Sequence, residues 1–512
     1  MSKFLFLMDA IKFHPLVFQA LSTFILFWFI YKWFHKPNGA KKLPPSPPKL
    51  PIIGNLHLFT SLPHRDLQRL ARKYGPLMHL HLGSVPTLVV SSGEGAKEIM
   101  KTNDLSFADR PQTWVAKQLL YGPNDVSLSP YGQKWRQRKS ICVLQLLSNK
   151  RVQSFHSIME EETSLLLKKI EHSSGALNLS EMFSEFSNGM TSRAMFGKKY
   201  SEGEKDKRFI SLLKDVSSSV GAINIGDFIP LLSWVARVNG FNAKVQRVAK
   251  ELDEFLEWVI QERMEKSREE KAKDDDMNKY GENFVEILLD IYQNNSDGIS
   301  ISKESVKGIL TNMLEGGTDT ISITQEWMMS ELLRHPEVLK RLQDEVRGIL
   351  KDRVDITDRD LEKMAYLKAV TKETLRLHPA IPLPFHMAKN DVKVMGYNVP
   401  IGTWVAINIY AIGRDPNIWD EPEKFNPDRF LNSSIDFRGQ DFELIPFGLG
   451  RRGCPAITFA MVNVEYVIAN LVQKFEWKLA EDGEELDMTE RPGLHVGRAV
   501  PLLALASKKY HF

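Results

Sequence analysis

The stretch Phe447-Gly448-Leu449-Gly450-Arg451-Arg452-Gly453-Cys454-Pro455 decides how this chain is read. Cys454 is one of two cysteines in 512 residues; the other is Cys142. Three glycines crowd the loop before Cys454, and an apolar, helix-like run over residues 456–469 follows it. Glycine-rich backbone bends tightly and aims its N–H groups inward, where they stabilise a thiolate. No histidine lies between His386 and His495. A zinc or iron–sulfur site would need further soft ligands close by. Two readings stand: a thiolate serving as axial ligand to haem iron, or a buried free cysteine behind an ordinary turn.

The spacing Phe447-x-x-Gly450-x-Arg452-x-Cys454 resembles the haem-binding signature of the cytochrome P-450 monooxygenases, and the longer run from Pro446 to Pro455 resembles their plant microsomal branch. The family usually has glycine two residues after the cysteine, where this chain has Ala456. One extra methyl there bears on how the following helix packs on the porphyrin, not on ligation.

Composition sets outer bounds. A 43% apolar chain is ordinary for a globular protein with a large core, and a net charge of +3 does not suggest a nucleic-acid binder. Two cysteines build no disulfide framework, which favours a reducing compartment.

Residues 16–31 carry no charge and are dense in Phe, Leu, Ile and Trp. About 20 such residues span a bilayer as a helix. Lys32, His35, Lys36, Lys41 and Lys42 follow, which places that side in the cytoplasm. A buried core helix is the competing reading. Residues 43–51 then hold five prolines, expected as a stiff, extended hinge. The expected domains are a membrane anchor at 1–35, a basic and proline-rich hinge at 36–55, and a catalytic domain at 56–512.

Residues 77–82 and 87–91 read as short strands, and helical patterns dominate afterwards. Trp135 and Lys139 share one helix face; Lys134 and Arg138 share another and read as a solvated basic surface, expected to steer an acidic partner. Residues 261–283, of mixed charge, read as a solvated helix end and loop. The longest helical pattern covers 302–335 and is interrupted by Glu315-Gly316-Gly317-Thr318-Asp319-Thr320. Two mid-helix glycines cost about 1 kcal/mol each against alanine. A local rule broken inside a core helix marks either a tolerated kink or a functional site. The Thr320 hydroxyl is placed to bond the Gly316 carbonyl. Glu373 and Arg376 are spaced i, i+3 on one helix face.

These motifs stand in the order the family would have. Gly316-Gly317-x-Asp319-Thr320 is similar to its oxygen-activation motif, with Ile321 where a second hydroxyl is usual. The resemblance implies that Asp319 and Thr320 deliver protons. It implies that Trp135, Lys139 and Arg452 hold haem propionates. His386 stands where plant relatives carry a propionate-binding Arg, so it is expected on the propionate only when protonated. Glu373, Arg376 and Arg429 match the family's structural triad.

The implied fold is mainly α: a large helical haem domain with small β-sheets behind an N-terminal transmembrane helix. The implied cofactor is haem b, with Cys454 as its axial iron ligand and Phe447 and Gly450 in the cofactor loop. The implied reaction inserts one atom of dioxygen into a small lipophilic metabolite. No nicotinamide or flavin fingerprint occurs, so electrons are expected from an NADPH-dependent flavoprotein reductase. Membrane lipid is the other expected partner, at the endoplasmic reticulum, with a single pass and a cytoplasmic catalytic domain. Substrate contacts are expected from 113–119, 220–225, 309–315, 380–383 and 494–496. A lyase, dehydratase or isomerase on the same fold is the alternative, and a non-enzymatic haem carrier is a second.

Overall fold

The structure is a computed structural model. It describes residues 42–199, 204–273, 283–294, 300–351, 353–439, 441–480 and 485–508, together with 19–20, 22–24 and 27. The expected anchor at 1–35 therefore lies almost wholly outside the described residues.

Nine strands among the described residues make three small sheets. The largest orders β1 (Leu77–Leu82), β2 (Val85–Val90), β7 (Trp404–Ile407) and β4 (Phe385–Met387). A three-stranded sheet orders β3 (Leu177–Asn178), β9 (Leu503–Lys508) and β8 (Phe475–Leu479), and β5 (Val392–Val394) pairs with β6 (Tyr397–Val399). Strand β2 begins two residues earlier than its sequence suggests and includes Pro86. Its parallel pairing with β7 starts only at Thr87, so the missing proline N–H is not needed there.

Helices fill the rest. The ones that build the site are α1 (Gln133–Ser140), α2 (Leu179–Phe196), α3 (Glu204–Val220), α4 (Phe241–Lys273), α5 (Lys303–Arg334), α6 (Ala365–Leu377) and α7 (Ile457–Lys474). The charged run after residue 261 continues α4 to Lys273, and 274–282 lie outside the described residues. Helix α5 starts where the Ser302 side chain accepts the Ser305 N–H, and it stops before His335-Pro336.

Helix α5 is the axis of the domain. Its two ends are buried: Val306, Ile309 and Leu310 before the glycines, Trp327, Met328 and Leu332 after them. The two glycines have different causes. A Cβ on Gly317 would sit 3.2 Å from the Thr191 side chain, so this glycine lets α2 approach, and Thr191 Oγ1 donates to Gly317 O at 3.0 Å. Gly316 is exposed in mid-helix, and a methyl added there would meet nothing within 4 Å, so a space opens at the middle of α5. Ile321 is 2% exposed within the main apolar core. The second hydroxyl of the family pattern is thus replaced by core packing.

Candidate active site

The cysteine loop is held by its own backbone. Cys454 N–H donates to Phe447 O at 2.9 Å, and Gly453 N–H to Gly450 O at 3.1 Å. Gly448 and Gly450 take φ of 64° and 65°, the left-handed region that favours glycine. At Gly450 a Cβ would also lie 2.5 Å from Met100 O. Because those N–H groups serve carbonyls, the sulfur receives fewer than the loop composition suggests: Ala456 N–H reaches Cys454 Sγ at 3.4 Å. Ala456 has φ −101° and ψ 18°, ordinary for alanine, so the departure from glycine costs no backbone strain. Burial pushes the Cys454 thiol up, while the Ala456 N–H and the Lys139 charge pull it down.

Around the loop the cations converge. Lys139 Nζ donates to Gly453 O at 2.6 Å. The Arg452 guanidinium lies 4.4 Å from the Trp135 ring and donates to Ala108 O at 2.6 Å, to Val126 O at 3.2 Å and to Ser129 O. Trp135 Nε1 donates to the same Val126 O at 2.9 Å. Trp135, Lys139 and Arg452 are therefore brought together beside Cys454.

Two expectations change. Arg138 is not on a solvated face. It is 4% exposed and donates to Asp125 O at 3.1 Å, Pro123 O at 2.6 Å and Ser129 Oγ at 3.3 Å. The 123–129 turn needs donors for its buried carbonyls, and Arg138 supplies them. Of the expected docking pair only Lys134 is exposed, accompanied by Arg136. His386, on β4 opposite Val405, is buried with Nδ1 3.0 Å from Phe107 O. Burial and the charges of Arg110 and Arg452 hold its pKa well below the usual histidine value. It is neutral at pH 7 and contributes no cation of its own.

Arg110 escapes sequence reasoning. It donates to Phe385 O and, at 3.5 Å, to Arg452 O, and its Nε is buried without a partner. Burial and Arg452 lower its pKa to about 9, so it stays charged at pH 7. Only its place in Asp109-Arg110-Pro111, ahead of a turn, could have marked it. Among the described residues, Arg110, Arg138, Lys139 and Arg452 are faced there by two carboxylates, Asp109 and Asp125. Uncompensated buried cations and an orphan Nε fit an anionic ligand. The two propionates of haem b are of that chemistry, and the Cys454 sulfur suits its iron.

On the far side, Thr320 Oγ1 donates to Gly316 O at 2.6 Å, as its spacing suggests. Asp319 is not turned onto that hydroxyl. Its Oδ2 accepts from Ser217 Oγ on α3 and lies 3.4 Å from His495 Nδ1.

Beneath the site, Glu373 is gripped by Arg376 Nε at 2.7 Å and Nη2 at 2.8 Å, and by Arg429 Nε at 3.1 Å. Arg376 also donates to Gly413 O, Pro422 O and Lys424 O, so every part of a fully buried fork is used. The expected contact between Arg429 and Glu373 is present. Arg429→Ala is expected to lower stability by about 1.5–3 kcal/mol, the worth of a hydrogen bond to a charged group. A fall in Tm with ligation at Cys454 retained is the outcome to measure.

Comparison with known proteins agrees with this geometry. A sequence model of the family described as cytochrome P-450 matches residues 44–503. Cytochrome P-450 71A8 of Mentha piperita is 53% identical over 98% of this chain and 97% of its own. The tabersonine/lochnericine 19-hydroxylase of Catharanthus roseus is 47% identical, covering 93% of this chain and 94% of its own. A zebra fish cytochrome P-450, solved with abiraterone, superposes with a TM-score of 0.73 at 24% identity over 88% of this chain and 99% of that one. Matched along nearly its whole length in sequence and in fold, the chain belongs to the cytochrome P-450 family.

Proposed function

We propose that this protein is a monooxygenase of plant specialised metabolism that hydroxylates or otherwise oxidises a small lipophilic metabolite. The family binds haem b through a cysteine thiolate, and relatives of this chain are named as a hydroxylase and an oxidase. When bound, the haem supplies dioxygen binding and O–O cleavage, which a thiolate ligand favours. The chain's own residues bind and orient it and move protons. Cys454 ligates through a sulfur steadied by the Ala456 N–H and by Lys139. Arg110, Lys139 and Arg452 offset the propionate charges, and Trp135 walls them. Thr320 presents a hydroxyl at the open middle of α5, where a reacting oxygen can take its proton, and Asp319 stands next to it.

The observation that carries this reading is the joining, in one domain, of the Cys454 loop and the Thr320–Gly316 opening of α5. Similarity to a relative named as a hydroxylase points the same way. Co-expression with an NADPH-dependent flavoprotein reductase, followed by metabolite profiling with and without oxygen, tests it. New oxygenated products that need both oxygen and the reductase are expected. Turnover without oxygen would favour the dehydratase alternative. An acidic reductase surface would meet Lys134 and Arg136 rather than Arg138.

The membrane is the second expected partner. Among the described residues no single helix is long and apolar enough to cross one, and one bent pair, Ser211–Phe228 with Pro230–Val238, passes by length and composition at a 113° angle. Ile223, Leu231, Trp234 and Val238 are exposed in and beside that pair, 56–79% each. The hinge reaches the same face: Gly83 N–H donates to Ile53 O at 3.1 Å and Ser84 N–H to Phe228 O at 2.8 Å, and Ile52 is exposed. A surface of this kind suits lying in a bilayer interface, beside an N-terminal anchor. Protein lacking residues 1–41 is expected to bind phosphatidylcholine vesicles. Trp234→Glu with Val238→Glu is expected to weaken that binding by at least about tenfold, given what burying two large apolar side chains contributes. Unchanged partitioning would place the interface elsewhere.

A further inference from the structure

His495 lies in the loop after Arg491, within the 494–496 stretch expected to contact substrate. The loop is pinned by Val496 N–H to Ala380 O at 2.9 Å, Trp327 Nε1 to Val496 O at 3.1 Å and Arg491 N–H to Gly497 O at 2.8 Å. Gly221, at the end of α3, packs so closely that a Cβ there would be 2.8 Å from Leu494 N. The imidazole is thus fixed between two acids of α5: Nδ1 is 3.4 Å from Asp319 Oδ2, and Nε2 is 3.6 Å from Glu315 Oε1. The His495 side chain is buried and that of Glu315 nearly so, while Asp319 is half-buried.

A cavity of about 20 Å³ lies beside them, lined in part by Ser217, Glu315, Thr318 and Asp319. That is room for one water. Of its lining, Glu315 Oε1 and Thr318 Oγ1 are each buried without an aligned hydrogen-bond partner, which is the setting in which such a water bridges polar groups; His495 Nδ1, behind the two acids, is likewise buried without one.

We infer that His495 is the positioning residue for Asp319: bridging Glu315 and Asp319, its imidazolium fixes the ionisation and direction of the Asp319 carboxylate and so governs proton supply beside Thr320. This rests on the monooxygenase reading. Burial works against charge on His495, yet the nearby carboxylates of Asp319 and Glu315 raise its pKa above the ordinary value. Burial alone would raise Asp319, but the ion pair with His495 and the bond from Ser217 outweigh it and keep that pKa low. Burial dominates at Glu315, which is raised despite His495. Arg491, in the same loop as His495, is the other charge acting on His495 and Asp319. The three groups titrate as a set.

The sign of the pH effect follows. His495 is charged below its raised pKa and neutral above it. Asp319 is held by the imidazolium at lower pH and loses that partner as pH rises.

Hydrogen exchange at the imidazole C2 position, followed by mass spectrometry on the full-length, haem-loaded protein, reads the His495 titration without any turnover. The wild type is expected to titrate above the ordinary histidine value, and Glu315→Gln to bring it down. A His495 titration at or below the ordinary value, or one that Glu315→Gln leaves unmoved, overturns the inference. The pH profile of coupling supplies the second readout. Product per NADPH should decline in the wild type as pH passes the His495 titration. In His495→Gln that step should be lost and coupling at low pH reduced by up to about tenfold, the factor of one pKa unit. Ser217→Ala, which removes only the other donor to Asp319, should keep the step. Persistence of the step in His495→Gln, with the carbon monoxide spectrum intact, also overturns it. A shifted His495 in a protein that turns over without oxygen would uphold the ion cluster and sink the monooxygenase reading instead.

Discussion

Cys454→Ser is expected to abolish the thiolate-type carbon monoxide difference spectrum, and Cys142→Ser to leave it intact. The ligand form of cysteine is the thiolate. Cys142 is fully buried among core side chains, and burial pushes its pKa up to about 12, so it stays a neutral thiol. Burial raises Cys454 as well, but it is only half-buried, in a loop built on φ-positive glycines, with one peptide N–H on its sulfur and Lys139 alongside to favour the thiolate. A serine hydroxyl at 454 cannot become an anion of comparable donor strength near neutral pH. The charged side chains that fit the propionates are untouched by the change, so haem is expected to be retained in part without the thiolate signature. A spectrum that survives Cys454→Ser, or is lost in Cys142→Ser, contradicts the assignment.

Thr320→Ala is expected to uncouple reduction from product formation. The Thr320 hydroxyl donates to Gly316 O within α5, so its loss frees one carbonyl and leaves the helix in place. Haem, the Cys454 bond and substrate binding should persist. NADPH consumption should continue, with reduced oxygen leaving as hydrogen peroxide. Product per NADPH should fall by as much as about 10²–10⁴-fold, the worth of one positioned proton donor. A dehydratase, which needs no dioxygen, would change little. Unchanged coupling would remove Thr320 from the proton path.

Much of the site is legible in the sequence because the residues concerned break local rules. Glycines in a helix and a cysteine behind three glycines stand out against propensity, and both are points where backbone or space is special. The Glu373–Arg376–Arg429 contact is legible through motif order, since i, i+3 spacing alone says nothing of burial. Solvation is less legible. Arg138 reads as solvated because helical spacing gives a face but not what covers it, and the carbonyls of the 123–129 turn are invisible to periodicity. Arg110 escapes as a site residue for the same reason, placed by Phe385 and Arg452 far away in sequence; His495 falls in a stretch expected to touch substrate, but its place between Glu315 and Asp319 is set by chain far away in sequence. His386 does lie near the cluster, but its charge depends on two arginines that only the fold assembles.

The most direct test of monooxygenation is the origin of oxygen in the product. The full-length protein, supplied with an NADPH-dependent reductase and the substrate found by profiling, is run under isotopically labelled dioxygen. Product carrying one labelled oxygen atom for each dioxygen consumed is the expected result. Product that forms unlabelled, at the same rate with dioxygen excluded, would contradict it.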